Sequence, residues 1–108
     1  MNIKFQKEDK LLIMEITEEI DHHTADKIRR RADYEIQRYM PKKVLFDFNN
    51  VSFMDSSGIG LLIGRYKLLV SQNGSLGLIN VKPNIMKIFQ MSGILKIISV
   101  HENVENVG

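Results

Sequence analysis

An α/β fold is what this sequence predicts, and three observations carry the prediction. Apolar runs of strand length at 11–16, 44–49 and 76–80 are each followed, after a short polar loop, by a stretch with helical apolar spacing. Pro41, Gly74, Pro83 and Gly93 punctuate the junctions. The chain has 108 residues, which suits one domain over 1–108. Strand–helix repeats with short loops require parallel neighbours joined by right-handed crossovers. The expectation is a mixed, mostly parallel sheet of about five strands opened by an antiparallel hairpin strand, with helices after strands two, three and four. The strand order is not readable from the pattern.

Taken in order, Ile3-Lys4-Phe5 alternates with polar neighbours and reads as a short edge strand. Lys7-Glu8-Asp9-Lys10 is a charged turn into the more apolar strand 11–16, which makes the pair a hairpin. Asp21-His22-His23-Thr24 introduces a helix to about Met40; Asp21 and Thr24 are both able to cap it, and Asp26 suits its first turn. Ala25, Ile28, Ala32, Ile36 and Tyr39 share one stripe, and Pro41 ends the helix. Strand 44–49 leads to Ser52-Phe53-Met54-Asp55-Ser56-Ser57-Gly58-Ile59-Gly60, the start of a helix to Asn73 that Gly74 is placed to close in the left-handed conformation. After strand 76–80, Pro83 opens a short helix with Ile85, Ile88 and Phe89 on its buried stripe. Gly93 closes that helix, 96–100 reads as a fifth strand, and His101 to Gly108 is a polar tail with room for one helical turn.

Composition excludes several classes. With 44% apolar and 26% charged residues the chain is an ordinary globular one. A net charge of +2 argues for neither nucleic acid nor an anionic membrane as partner. No apolar run approaches the ~20 residues of a membrane span, and the N-terminus lacks a signal-peptide pattern. Without cysteine there are no disulfides, thiolate catalysts or cysteine zinc sites, which is compatible with the cytoplasm, the expected compartment.

The chemistry concentrates at Ser57. A helix's first turn carries amides without partners and partial positive charge, so a serine there is oriented and tolerates a phosphoryl group. On a wheel from Ser57, Ile59, Leu62, Ile63, Tyr66, Leu69 and Val70 form the stripe expected to face the sheet. The side of Ser57 itself offers Gly60, Leu61, Gly64, Leu68 and Ser71, a small and apolar face where a solvent face would carry charge. Two readings stand: a docking patch for a partner with Ser57 at its rim, or a face covered by a neighbouring helix of the same domain.

Other constellations are weaker. Gly58-x-Gly60-x-x-x-Gly64 has Ile63 where a dinucleotide fingerprint needs glycine, and no lysine precedes Lys67 to make a P-loop. Asp55 stands where a hydrolase elbow has its first glycine. A small-ligand or nucleotide-binding module, or a serine hydrolase, are the alternatives these leave. His22-His23 diverge by about 100° on a helix and complete no metal set, and Arg29-Arg30-Arg31 reads as a solvated face. Met54, Met86 and Met91 are adaptable side chains suited to core or binding surface.

Three segments together resemble a known family. They are Glu19-Ile20-Asp21-His22-His23-Thr24-Ala25; Ser52 through Gly60 with Gly64-Arg65-Tyr66-Lys67; and Met91-Ser92-Gly93-Ile94-Leu95-Lys96-Ile97-Ile98. They look like the anti-sigma factor antagonists of the STAS domain class, and among those the sporulation members that antagonise the anti-sigma F factor. The resemblance implies a STAS-like domain that is not an enzyme and needs neither cofactor nor metal. Its implied partners are an anti-sigma factor that is also a serine kinase, and a serine phosphatase. The kinase would phosphorylate the second serine of Asp-Ser-Ser-Gly, here Ser57, and so switch binding off. The implied contact set, joined to the patch above, is Asp21, Met54, Asp55, Ser56, Ser57, Gly58, Gly60, Leu61 and Gly64. Glu19 replaces the family's usual glycine and Lys82 its usual small capping residue, which bears on loop geometry.

Overall fold

The computed structural model describes residues 1–102. A hairpin of β1 (Asn2–Gln6) and β2 (Leu11–Glu15) leads into α1 (His22–Tyr39), β3 (Lys43–Asp47), α2 (Ser57–Ser71), β4 (Ser75–Ile79), α3 (Pro83–Ser92), a 3-10 turn (Ile94–Lys96) and β5 (Ser99–His101). The sheet order is β1-β2-β3-β4-β5, with β1 antiparallel to β2 and every later pair parallel. Each parallel strand lies beside its predecessor in one direction, so crossovers of one hand place all three helices on one face. Alternate strand residues divide accordingly. Leu12, Met14, Val44, Phe46, Leu76 and Leu78 join the helices in the main core, while Leu11, Leu45 and Ile79 form a small cluster with Ile13 on the other face.

Capping decides where α1 starts. Asp21 is its N-cap: its carboxylate accepts from the Thr24 amide at 2.9 Å while the Asp21 amide donates to Thr24 Oγ1 at 2.9 Å. That start puts Asp26 in the second turn, where it pairs with Arg29 and Arg30 instead of facing the helix mouth. Tyr39 closes the expected stripe by stacking on Phe5, ring centroids 4.4 Å apart, and so ties the end of α1 to the hairpin. Phe48 and Phe89 meet edge to face at 5.5 Å beneath α3; burying such a side chain contributes about 1.5–3 kcal/mol.

Three expectations are corrected. Asn73, not Gly74, takes the left-handed conformation after α2, with φ 62°, because asparagine tolerates that region. Gly74 is small for a different reason: a Cβ there would lie 3.2 Å from the carbonyls of Leu69 and Pro41. Residues 96–98 are not strand. After the left-handed Gly93 (φ 79°) the chain keeps turning, with Ile98 N–H donating to the Ile94 carbonyl at 3.0 Å. Ile94 and Ile98 are buried and Ile97 is exposed, a spacing of four that a two-residue alternation misreads. His101, assigned above to the tail, belongs to β5. The expected helical turn falls within 103–108, outside the described residues.

Candidate functional site

The loops that follow β2, β3 and β4 meet at one end of the sheet and are laced together. Ile20 and Met54 form an isolated parallel bridge, with Ile20 N–H on the Phe53 carbonyl at 3.1 Å and Asp55 N–H on the Ile20 carbonyl at 3.0 Å. The Glu19 carboxylate accepts from the Ser52 hydroxyl at 2.7 Å and the Ser52 amide at 3.1 Å. Asn84 donates to the Ser52 carbonyl at 2.9 Å and Lys82 to that of Asn49. Glu19 and Lys82, the two departures from the family pattern, are thus the side chains that stitch the Ser52 loop to its neighbours.

These bonds hold two carboxylates in the charged form. The Ser52 hydroxyl and amide keep Glu19 below its ordinary 4.5, and the Thr24 amide keeps Asp21 below its ordinary 3.8. A carboxylate depressed in the folded state stabilises above its unfolded value, and that contribution drains away as pH falls through the lower folded value. In urea titrations the Glu19→Gln/Asp21→Asn variant should therefore lose less stability than the parent between about pH 5 and 3. Parallel losses would show that neither carboxylate matters to acid lability.

At the mouth of α2 the capping is unusual. Ser56 is the N-cap residue but has helical φ and ψ (−62°, −17°) and no side-chain cap bond. Asp55 does that work from one residue further out, accepting the Ser57 N–H on Oδ1 at 2.8 Å and the Gly58 N–H on its carbonyl at 3.1 Å, while Ile59 N–H goes to the Ser56 carbonyl at 3.1 Å. The first amides of α2 are therefore partnered within the chain, not free as the sequence led us to expect. Both serine hydroxyls are left without a bond among the described residues; Ser56 is exposed and Ser57 half-buried.

Beneath them the packing is tight. Met54 is 3% exposed, and a Cβ on Gly58 would overlap Met54 Sδ and lie 2.5 Å from its Cγ. Gly58→Ala should cost about 1–3 kcal/mol through overpacking, despite the better helix propensity of alanine. Urea unfolding at neutral pH measures this, and an unchanged midpoint would mean that Met54 repacks freely.

A cleft of about 290 Å³ separates the first turns of α1 and α2. His22, Ala25, Asp26 and Arg29 line one wall, and Ser57, Gly60, Leu61 and Arg65 the other. The buried stripe of α2 is Gly58, Leu61, Leu62, Arg65 and Leu69, about 90° around the helix from the one the apolar pattern indicated. The helix packs on α1 as well as on the sheet, which draws Leu61 inward and leaves Val70 49% exposed. Gly60 stays exposed and Gly64 partly so, and beyond the adjoining backbone of α2 a Cβ on either would meet nothing of the described residues within 4 Å.

The structure therefore sorts the expected contact residues. Asp21, Asp55, Ser56, Ser57, Gly60 and Gly64 reach the surface at this end of the molecule. Met54, Gly58 and Leu61, expected among the contacts, are instead buried, with Leu61 at the wall of the cleft. Of the α2 outer face, Leu61 turns in toward the cleft with α1, while Gly60 and Gly64 remain open. Phe53 stands 53% exposed on the laced loop. The Arg65–Asp33 ion pair, 2.7 Å between Nε and Oδ1 across the two helices, had no local signal at all. Among the described residues, no group of three His, Asp or Glu side chains is placed to hold a metal ion, and no helix is long and apolar enough to cross a membrane.

Fold and site together define a class. The sequence matches the STAS domain over residues 2–107, and the chain belongs to that family. Within it, the chain is 36% identical to the anti-sigma F factor antagonist of Paenibacillus polymyxa, covering 98% of this chain and 92% of that protein. The solved structure of the anti-sigma factor antagonist SpoIIAA in its unphosphorylated form superposes with a TM-score of 0.82 at 28% identity, covering 98% of this chain and 91% of that one. The Bacillus cell fate determinant SpoIIAA in the phosphorylated form gives 0.73 at 28% identity, covering 98% and 95%.

Proposed function

We propose that this chain is an anti-anti-sigma factor, a binding protein acted on by enzymes and not itself an enzyme. The unphosphorylated form binds an anti-sigma factor that is also a serine kinase and so frees a sigma factor. Phosphorylation of Ser57 ends that binding, and a serine phosphatase restores it. The setting is the bacterial cytoplasm, and the likeness to an anti-sigma F factor antagonist and to SpoIIAA supports a role in sporulation.

The observation that carries the reading is the Ser57 hydroxyl, unbonded on a half-buried residue at the mouth of α2 and bordering the cleft, beside two glycines whose outward sides the described residues leave open. A glycine within a helix costs about 1 kcal/mol against alanine, and nothing of the chain's own packing offsets that at Gly60 or Gly64. A partner's backbone coming close would. The contact surface is then Asp21, Asp55, Ser56, Ser57, Gly60 and Gly64, resting on Met54, Gly58 and Leu61, with Phe53 beside it.

The kinase supplies nucleotide, Mg²⁺ and base; Ser57 Oγ attacks the γ-phosphorus, its proton goes to that base, and ADP leaves. The product carries about −1.5 to −2 charges at the rim of a small, apolar surface, next to the Asp55 carboxylate. A desolvated interface rejects such a group, so the backbone need not move. Incubation with ATP alone and then with the cognate kinase tests the assignment by mass spectrometry. Phosphate on Ser57 is expected only when the second protein is present; uptake from ATP alone, or onto another residue, would overturn it.

A further inference from the structure

We propose that the phosphoryl group on Ser57 is received by the chain's own α1–α2 cleft, with Arg29 as its counter-charge and Arg65 behind it. The inference rests on the reading of Ser57 as the modified residue, and adds where on the chain the phosphoryl group is held.

Three observations lead there. First, the amides at the mouth of α2 are taken by Asp55 and Ser56, so a phosphate on Ser57 cannot depend on them. Its compensation must come from side chains, and Arg29 and Arg65 line the same cleft as Ser57.

Second, Arg65 is under-satisfied. Its side chain is only 10% exposed, its Nε contacts Asp33 Oδ1 at 2.7 Å off the hydrogen-bond axis, and its Nη1 has no hydrogen-bond partner among the described residues. A buried guanidinium with donors to spare favours an anion in the cavity it borders.

Third, Arg29 can be exchanged without baring a carboxylate. It holds Asp26 Oδ1 through Nη2 at 2.7 Å and Nε at 3.3 Å, and stands 3.8 Å from Asp33. Arg30 already lies 3.3 Å from Asp26 Oδ2, and Arg65 already stands in an ion pair 2.7 Å from Asp33. A phosphate dianion attracts Arg29 more strongly than a single carboxylate does, and Arg30 keeps Asp26 paired when Arg29 turns away. The other titratable groups facing the site are His22 from α1 and Asp55 from the preceding loop.

The test uses full-length protein with phosphoserine incorporated at position 57 during translation, so no kinase is involved. A ³¹P NMR titration should place the second ionisation of the phosphate about one unit below its ordinary value near 6. Arg29→Gln should move it back up by about as much, Arg29→Lys should recover part of the depression, and Asp26→Asn should deepen it. Arg29 is 45% exposed on its side chain, so these variants should fold, which circular dichroism checks. An ordinary titration in the parent, or one that Arg29→Gln leaves unmoved, overturns the proposal. The two readings fail separately: a kinase that labels another serine sinks the switch assignment without altering this titration, and a flat titration sinks the phosphate seat without touching the labelling.

Discussion

Ser57→Ala should take up no phosphate from ATP and the cognate kinase, a loss of about 100-fold or more, while still binding that kinase as the parent does. The hydroxyl is the only atom removed, and it makes no hydrogen bond among the described residues, so neither the fold nor the cap of α2 depends on it. Asp55 continues to hold the Ser57 amide at 2.8 Å. Ser56→Ala is the matched control: it removes an equally unbonded and more exposed hydroxyl one residue away, and it should keep phosphate uptake. Ser57→Asp should fold and bind weakly, although one carboxylate carries about half the charge of a phosphate. Normal labelling of Ser57→Ala would mean that the wrong serine carries the switch.

Gly64→Glu should weaken binding of the unphosphorylated protein to its anti-sigma partner by about 100-fold, or about 2.7 kcal/mol. The substitution places a charged side chain in the open notch one turn beyond Gly60. Apart from the adjoining backbone of α2 itself, no atom of the described residues lies within 4 Å of the new Cβ, so no clash with a packed neighbour follows. Glutamate is also the better helix former, so stability should hold or rise by up to about 1 kcal/mol. Binding measured by calorimetry beside urea unfolding separates the two effects. Undiminished affinity with an intact fold would place the docking surface elsewhere on the molecule.

How far the sequence led can be judged residue by residue. A cap at Asp21 or Thr24, the ends at Pro41 and Gly93, and the serine at the start of α2 were legible, because each depends on neighbours within a turn. The apolar pattern of α2 misled by about 90° because it counts hydrophobicity, and Arg65 is buried while Val70 is not. Arginine goes inside there because Asp33 waits on the next helix. Free amides at Ser57 were expected from helix termini in general, and Asp55 removed them by capping from outside the usual position.

The element order, the α/β class and the placing of Ser57 at the start of a helix were determined by the sequence itself, since they arise from periodicities and caps spanning a few residues. Strand order, the burial of Met54 and Leu61, the cleft beside Ser57 and the open sides of Gly60 and Gly64 were decided only by the tertiary structure. Those depend on contacts such as Ile20 with Met54, Glu19 with Ser52 and Asp33 with Arg65. Each joins residues about thirty positions apart, and their meeting follows from how β2, β3 and β4 lie side by side, which no local pattern encodes.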